Sequence, residues 1–337
     1  MSAPASVLSA RPQPVSAPAA RSLPVAIAPA RLFLTLAVVT WGLIAFGALV
    51  RAKQAGLSCP DWPLCHGDVV PNLELKGVIF EFGHRVLAGL VTLTYVSGSL
   101  LLWRRRELWP RFRRWVLAGG ALLLVQIIFG GLTVLVVHHG EGAPRPAAWP
   151  VATHLFLGNS FAAVALVLGL KLRRLARGFG AQPLVLKPLA RRLALAWTAS
   201  VVAQFILGGL VAGNIAGMVC TQFPACNGGQ WFPAWTGFVG LQVFHRLNAY
   251  LLGLLGWSLM AATWRAGVIG RVTRLMGTLI ALQIVLGAIN IFSYLHAPVT
   301  TAHSLVAALL FSSTAALWFV ILSARHQSAQ GTLAIGG

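Results

Sequence analysis

Four histidines fall inside long apolar stretches of this chain: His84, His154, His245 and His303. An ionisable side chain within a membrane helix is costly, and each one is by default a candidate functional group. The four form two pairs. His84-Arg85 recurs as His245-Arg246 at an offset of 161 residues, and His154 and His303 each open an apolar run. Two imidazoles facing each other across a helical bundle can take both axial positions of a haem iron. Zinc is the competing metal, but it wants four nitrogen or sulfur ligands close together, or three with an open position. Two histidines per bundle, with the cysteines in loops, suit haem better. Structural hydrogen bonding and a proton pathway are the other readings. The remaining histidines, His66, His138, His139, His296 and His326, fall in loops or the tail and read as solvated side chains.

Glu81 is the one acid expected inside a span, three residues before His84 and therefore on the same helix face. It reads either as a hydrogen-bonding or headgroup-level residue or as an acid or base beside the first histidine pair. The second copy carries Gln242 there, which cannot titrate. The Glu-bearing half is thus expected to do chemistry and the Gln-bearing half to hold a fixed cofactor. Arg85 and Arg246 suit carboxylates such as haem propionates, or snorkel to the headgroups. Cys59 and Cys65, and Cys220 and Cys226, form two C-x5-C pairs in equivalent outer loops. Disulfides persist on that side of a membrane. Each pair reads as a structural bridge or a redox-active one; a zinc site from all four would require both loops to meet.

The elements that position these groups follow from composition. Of 337 residues, 57% are hydrophobic and 9% charged, with mean hydropathy +0.78. This excludes a soluble globular enzyme, a disordered chain and a disulfide-rich secreted module. Eight stretches are long and apolar enough to span a bilayer: 32–50, 79–103, 115–137, 151–171, 190–212, 241–264, 272–292 and 301–323. The net charge of +20 raises nucleic acid as a partner, but it distributes as membrane topology would. With an even number of spans, 20 of the 26 Lys and Arg fall on the side of the termini and four on the other. Both termini are therefore expected in the cytoplasm, with the lipid bilayer as partner and no nucleic acid. Residues 1–30, rich in Ala, Pro, Ser and Arg, read as a disordered cytoplasmic tail, with a mitochondrial transit peptide as the competing reading.

The chain is a tandem duplication. GALVRAKQAGLSCPDWPLC (47–65) aligns without gaps to GGLVAGNIAGMVCTQFPAC (208–226), with eight of nineteen positions identical. QIIFG (126–130) matches QIVLG (283–287). Four helices per copy insert both copies in the same direction, which implies a pseudo-twofold axis along the membrane normal. The expected fold class is all-α integral membrane, with eight transmembrane helices as two tandem four-helix bundles. Residues 31–175 form the first bundle, 190–323 the second, and 324–337 a cytoplasmic tail.

Together, CPDWPLCHG (59–67), EFGHRVLAG (81–89), the stretch from Gln126, THLFLGNS (153–160) and FHR (244–246) resemble the haem A synthase family. That resemblance implies an enzyme of the bacterial cytoplasmic membrane that oxidises the C8 methyl of haem O to a formyl group, giving haem A for terminal oxidases. It implies His84 and His154 flanking the substrate haem O, with Glu81 near the reacting edge. It implies haem b as cofactor between His245 and His303, and a role in activity for Cys59 and Cys65. The partner implied by the pathway is haem O synthase, the protohaem farnesyltransferase; a homo-oligomer is left open. The alternative is a di-haem b-type membrane electron carrier, which predicts two equivalent sites. A transporter and a disulfide-exchange protein are more distant rivals.

Overall fold

The computed structural model of the chain describes residues 23–138, 144–178 and 186–333, the last ten by backbone alone. Among these residues the chain is built on eight long helices: α1 Ile27–Ala52, α2 Val78–Trp103, α3 Trp109–Leu135, α4 Ala148–Arg177, α5 Pro188–Gly213, α6 Gly237–Thr263, α7 Gly267–Phe292 and α8 Ala297–Leu333. Each carries an apolar window long enough to cross a membrane. The 26 residues of α2 rise about 39 Å, more than a hydrocarbon core of about 30 Å. A two-residue hairpin, β1 (Val137–His138) with β2 (Arg145–Pro146), lies between α3 and α4.

The expected spans are all present, and most helices run a few residues past them, but α3 stops at Leu135 and α6 at Thr263, short of the expected 137 and 264. Hydropathy reports only the lipid-facing length, while helical hydrogen bonding continues into the polar flanks. Proline in the first turn starts α3 and α5, and Gly178 at φ 62° ends α4. The tail expected over 1–30 lies outside the described residues as far as residue 22, and α1 already begins at Ile27. At the other end α8 continues to Leu333, into the segment expected as tail.

Within the first half α1 packs on α2 and α4, and α3 on α4, while α2 and α3 touch little. Within the second half α5, α6, α7 and α8 pack in sequence. The halves join where α4 meets α5 and α8, and where α1 meets α8. Small residues permit the α4–α5 approach. A Cβ on Gly209 would lie 2.8 Å from Ala152 Cα, and one on Gly213 would lie 2.7 Å from Ala148 Cα. Indole N–H groups stitch further pairs: Trp41 to Ser312 (3.0 Å), Trp197 to Thr314 (2.9 Å) and Trp318 to Thr198 (2.8 Å). At the C-terminal end of α1, Arg51 donates to the carbonyl of Ala212. Ala212 is the residue that corresponds to Arg51 in the repeat.

Each half has one main apolar core. Phe33, Leu36, Tyr95, Leu123, Phe161 and Leu168 centre the first; Trp197, Leu252, Met276, Ile280, Leu310 and Leu317 centre the second. Both cores lie mostly toward the helix ends remote from the four histidines, though the second reaches Val306, one turn past His303. The histidine ends are left to polar side chains, glycines and the cysteine loops.

Candidate functional site

The four helix histidines sit at matching depths. His84, His154 and His303 lie six residues beyond the starts of α2, α4 and α8, and His245 lies eight beyond the start of α6. That is about 9–12 Å into each helix. His84 and His154 lie within electrostatic reach of each other, and so do His245 and His303. The structure therefore brings the pairs together within each half.

Every one of these rings rests over a glycine of the preceding helix. A Cβ added to Gly47 would meet His84 Cε1 at 2.9 Å, and one on Gly130 would meet His154 Cε1 at 3.1 Å. The corresponding distances are 3.1 Å from Gly208 to His245 and 3.5 Å from Gly287 to His303. A methyl group under the first three would displace the imidazole; only hydrogen leaves the space.

Three of the four rings meet a glutamine amide. Gln126 Nε2 lies 3.3 Å from His154 Nε2, and His154 Nδ1 lies 3.1 Å from the Gln126 carbonyl oxygen. Gln283 Nε2 lies 3.0 Å from His303 Nε2, and Gln204 Nε2 lies 3.2 Å from His245 Nδ1. His84 has no such amide. Its ring stacks on Phe46 at 6.3 Å between centroids, and its Nδ1 is buried without a hydrogen-bond partner, as is His303 Nδ1.

The cysteines form two disulfides, Cys59–Cys65 and Cys220–Cys226. Among the described residues no group of three or more His, Cys, Asp or Glu converges as a metal cluster would. The arginines that follow His84 and His245 are the anchors of these loops. Arg85 donates to the carbonyls of Cys59 (3.2 Å), Asp61 (2.9 Å) and Leu64 (2.5 Å). Arg246 donates to Cys220 (2.9 Å), Gln222 (2.8 Å) and Ala225 (2.7 Å). These three acceptors correspond at the repeat offset of 161, and Arg85 alone also reaches the carbonyl of Pro63 (3.5 Å). Each guanidinium thus ties the helix that carries a histidine to the disulfide loop beside it. Sequence reasoning offered propionates or headgroups and missed this third use, because carbonyl acceptors leave no residue-type signal.

Glu81 is buried under the first loop. Its carboxylate accepts the N–H of Cys59 (2.8 Å) and pairs with Arg85 (2.7 Å). Gln242 occupies the matching place and donates to the Gly217 carbonyl (3.3 Å), its own oxygen unpartnered. In the loop itself, Asp61 accepts the N–H groups of His66 (2.7 Å) and Gly67 (2.8 Å). The Gly67 N–H foremost, then that of His66, and the Arg85 charge hold the Asp61 carboxyl below the usual carboxylate range. The first loop also reaches across its half: Trp62 lies against α3, where a Cβ on Gly131 would meet its ring at 3.0 Å. The matching Phe223 instead packs on Tyr250 of its own neighbouring helix, at 6.4 Å between centroids.

A sequence profile described as cytochrome oxidase assembly protein matches residues 30–77 and 74–315. The chain belongs to this family. A protein from Shouchella clausii named Heme A synthase is 31% identical over 293 residues, covering 84% of this chain and 92% of its own. Heme A synthases from Symbiobacterium thermophilum and Paracoccus denitrificans are 32% identical over 237 residues and 28% identical over 349. The first alignment covers 68% of this chain and 72% of its relative, the second 88% and 87%. Membership of the cytochrome oxidase assembly family accords with a multi-pass membrane protein.

Proposed function

We propose that this protein is a haem A synthase, an enzyme that oxidises the C8 methyl of haem O to a formyl group. The observation that carries this reading is the repeated pair of half-buried helix histidines at matching depths, each ring seated on a helix glycine, in a chain of this family. A glycine seat under both members of each pair, and one buried ring nitrogen per pair without a protein partner (His84 Nδ1 and His303 Nδ1), would suit histidine ligation of a haem iron. They do not suit zinc, which would need more ligands converging.

His84 and His154 would hold the substrate, haem O, and His245 and His303 would hold haem b. Bound haem b supplies a one-electron redox centre. Glu81 is the residue that separates the halves chemically. Its carboxylate sits between the Cys59 N–H, Arg85 and the helix turn that carries His84. It can hold or pass a proton beside the first histidine pair, whereas Gln242 cannot do so beside the second. Arg85 and Arg246 keep the disulfide loops closed beside the two sites. The architecture is two bundles, 31–175 and 190–323, related by a pseudo-twofold axis along the membrane normal. Both termini face the cytoplasm of a bacterium, as the 20 basic residues on that side support. The farnesyltransferase that makes haem O is the expected donor within the bilayer.

The test is haem extraction and mass analysis from protein expressed with and without a haem O source. Haem b alone without the source, and haem A or its hydroxylated intermediate with it, is the expected result. Haem b in both preparations, with no oxidised product, would favour the di-haem electron carrier. No haem in either would refute both.

A further inference from the structure

The proposed substrate and cofactor are nearly the same macrocycle, and both pairs of ligands are histidines on glycine seats. One must nevertheless leave after each turnover and the other must stay. The difference has to come from what surrounds the histidines, and the two halves differ there in a connected set of residues.

In the second half Ser200, Gln204 and Asn248 form a polar clamp between α5 and α6. Ser200 Oγ donates to Asn248 Oδ1 (2.8 Å), and Asn248 Nδ2 donates to the Ser200 carbonyl (2.9 Å) and to Gln204 Oε1 (2.7 Å). Gln204 Nε2 then reaches the main-chain carbonyl of His245 (3.1 Å) and its ring Nδ1 (3.2 Å). The bond to the main-chain carbonyl does not depend on where the ring carries its proton. Both faces of the Gln204 amide are therefore engaged, and His245 is held through backbone and ring together.

At the repeat offset of 161 the same three positions are Val39, Leu43 and Leu87. None can make these bonds. His84 accordingly has no glutamine on either ring nitrogen or on its main-chain carbonyl, although its glycine seat is the tightest of the four, whereas His303, whose Nδ1 is likewise without a partner, keeps Gln283 at its Nε2 (3.0 Å). His154, across from it, keeps its Gln126 contacts. The first pair thus has one supported and one unsupported member, and the second pair has two supported members.

We propose that the Ser200–Gln204–Asn248 clamp makes the second histidine pair a retaining haem site, and that Val39, Leu43 and Leu87 make the first pair an exchanging one. The inference rests on the haem reading above. The clamp residues act through His245, as positioning residues. Partners that orient a metal-bound histidine typically change affinity by about 10–100-fold when removed.

The experiment measures haem release from the full-length protein in detergent, loaded with haem b and mixed with excess apomyoglobin as acceptor. His84→Ala with His154→Ala leaves the second pair alone; His245→Ala with His303→Ala leaves the first. In the former background, Gln204→Leu with Asn248→Leu is expected to speed release about tenfold or more. In the latter, Val39→Ser with Leu43→Gln and Leu87→Asn is expected to slow release by a similar factor. Opposite signs separate positioning from damage, since a merely structural role would speed release in both. Unchanged rates, or faster release in both, would overturn the proposal and leave the haem assignment standing. Failure of both parent backgrounds to bind haem b at all would overturn the haem assignment itself, and the proposal with it.

Discussion

Replacing Gly208 by alanine sets two physical effects against each other. In the interior of α5, alanine is favoured over glycine by about 0.8–1 kcal/mol, so the helix should become more stable. The new Cβ, however, would lie 3.1 Å from His245 Cε1. That is closer than ordinary carbon–carbon contact at about 3.5–4.0 Å, so the ring must retreat by a few tenths of an ångström. The ring can move at little cost to the fold, but a histidine that would hold a haem iron would bind it more weakly once displaced. Gly208→Ala is therefore expected to hold or raise the unfolding midpoint while lowering haem retention about tenfold, a loss of about 1.4 kcal/mol. Gly287→Ala is the internal control. Its Cβ would stand 3.5 Å from His303 Cε1, in ordinary contact, and haem retention should change less than threefold, or about 0.7 kcal/mol. The assay is parallel thermal unfolding by circular dichroism and haem transfer to apomyoglobin on both variants. Equal haem retention in the two would refute the seat argument. So would a loss in Gly208→Ala that tracks a loss of helix stability.

Three further outcomes are expected. Glu81→Gln should abolish formyl product while leaving the low-spin spectrum of the second site intact; product at the parent rate would remove Glu81 from the chemistry. Arg246→Ala should free three loop carbonyls and make the Cys220–Cys226 bridge more accessible to a membrane-impermeant reductant, several-fold faster than in the parent; an unchanged reduction rate would end the anchoring role. The Asp61 carboxylate has its folded pKa depressed by the N–H groups it accepts. Its contribution to loop order is therefore present above the ordinary carboxylate range and is lost as pH falls through the depressed value. Protection of the His66 and Gly67 amides against deuterium exchange, referenced to the pH dependence of free peptides, should follow that course. In Asp61→Asn it should show no such step.

Much of this architecture is legible in the sequence because lipid imposes a strong pattern. Apolar runs of about 20 residues place α1 to α8, and the gap-free repeat pairs Cys59 with Cys220 and His84 with His245 before any coordinate is known. Helix ends are less legible, since α7 begins at Gly267 and α8 runs to Leu333 through residues that lipid does not select. The glycine seats are half-legible: Gly130 and Gly287 stand in the repeated Q-x3-G, but only the fold shows that a histidine lies above each. The arginine anchors are invisible beforehand, because their acceptors are main-chain oxygens that any residue supplies. The clamp around His245 does have a signal in the sequence. Ser200 and Gln204 share a face of one helix, and they and Asn248 are polar where Val39, Leu43 and Leu87 are apolar.

The contact between Arg51 and Ala212 bears on how two like halves can coexist in one chain. The donor is in the first copy, and the acceptor belongs to the position that corresponds to it in the second. Two identical copies would bring a guanidinium to this seam from each side, and the like charges would repel one another away from bulk water. Alanine at 212 removes that collision and leaves a one-sided latch. The seam therefore has a polarity that neither half has alone. Exchanging the order of the halves would still bring together one arginine and one alanine. Joining two first halves would set two cations face to face, and joining two second halves would leave the seam without a donor.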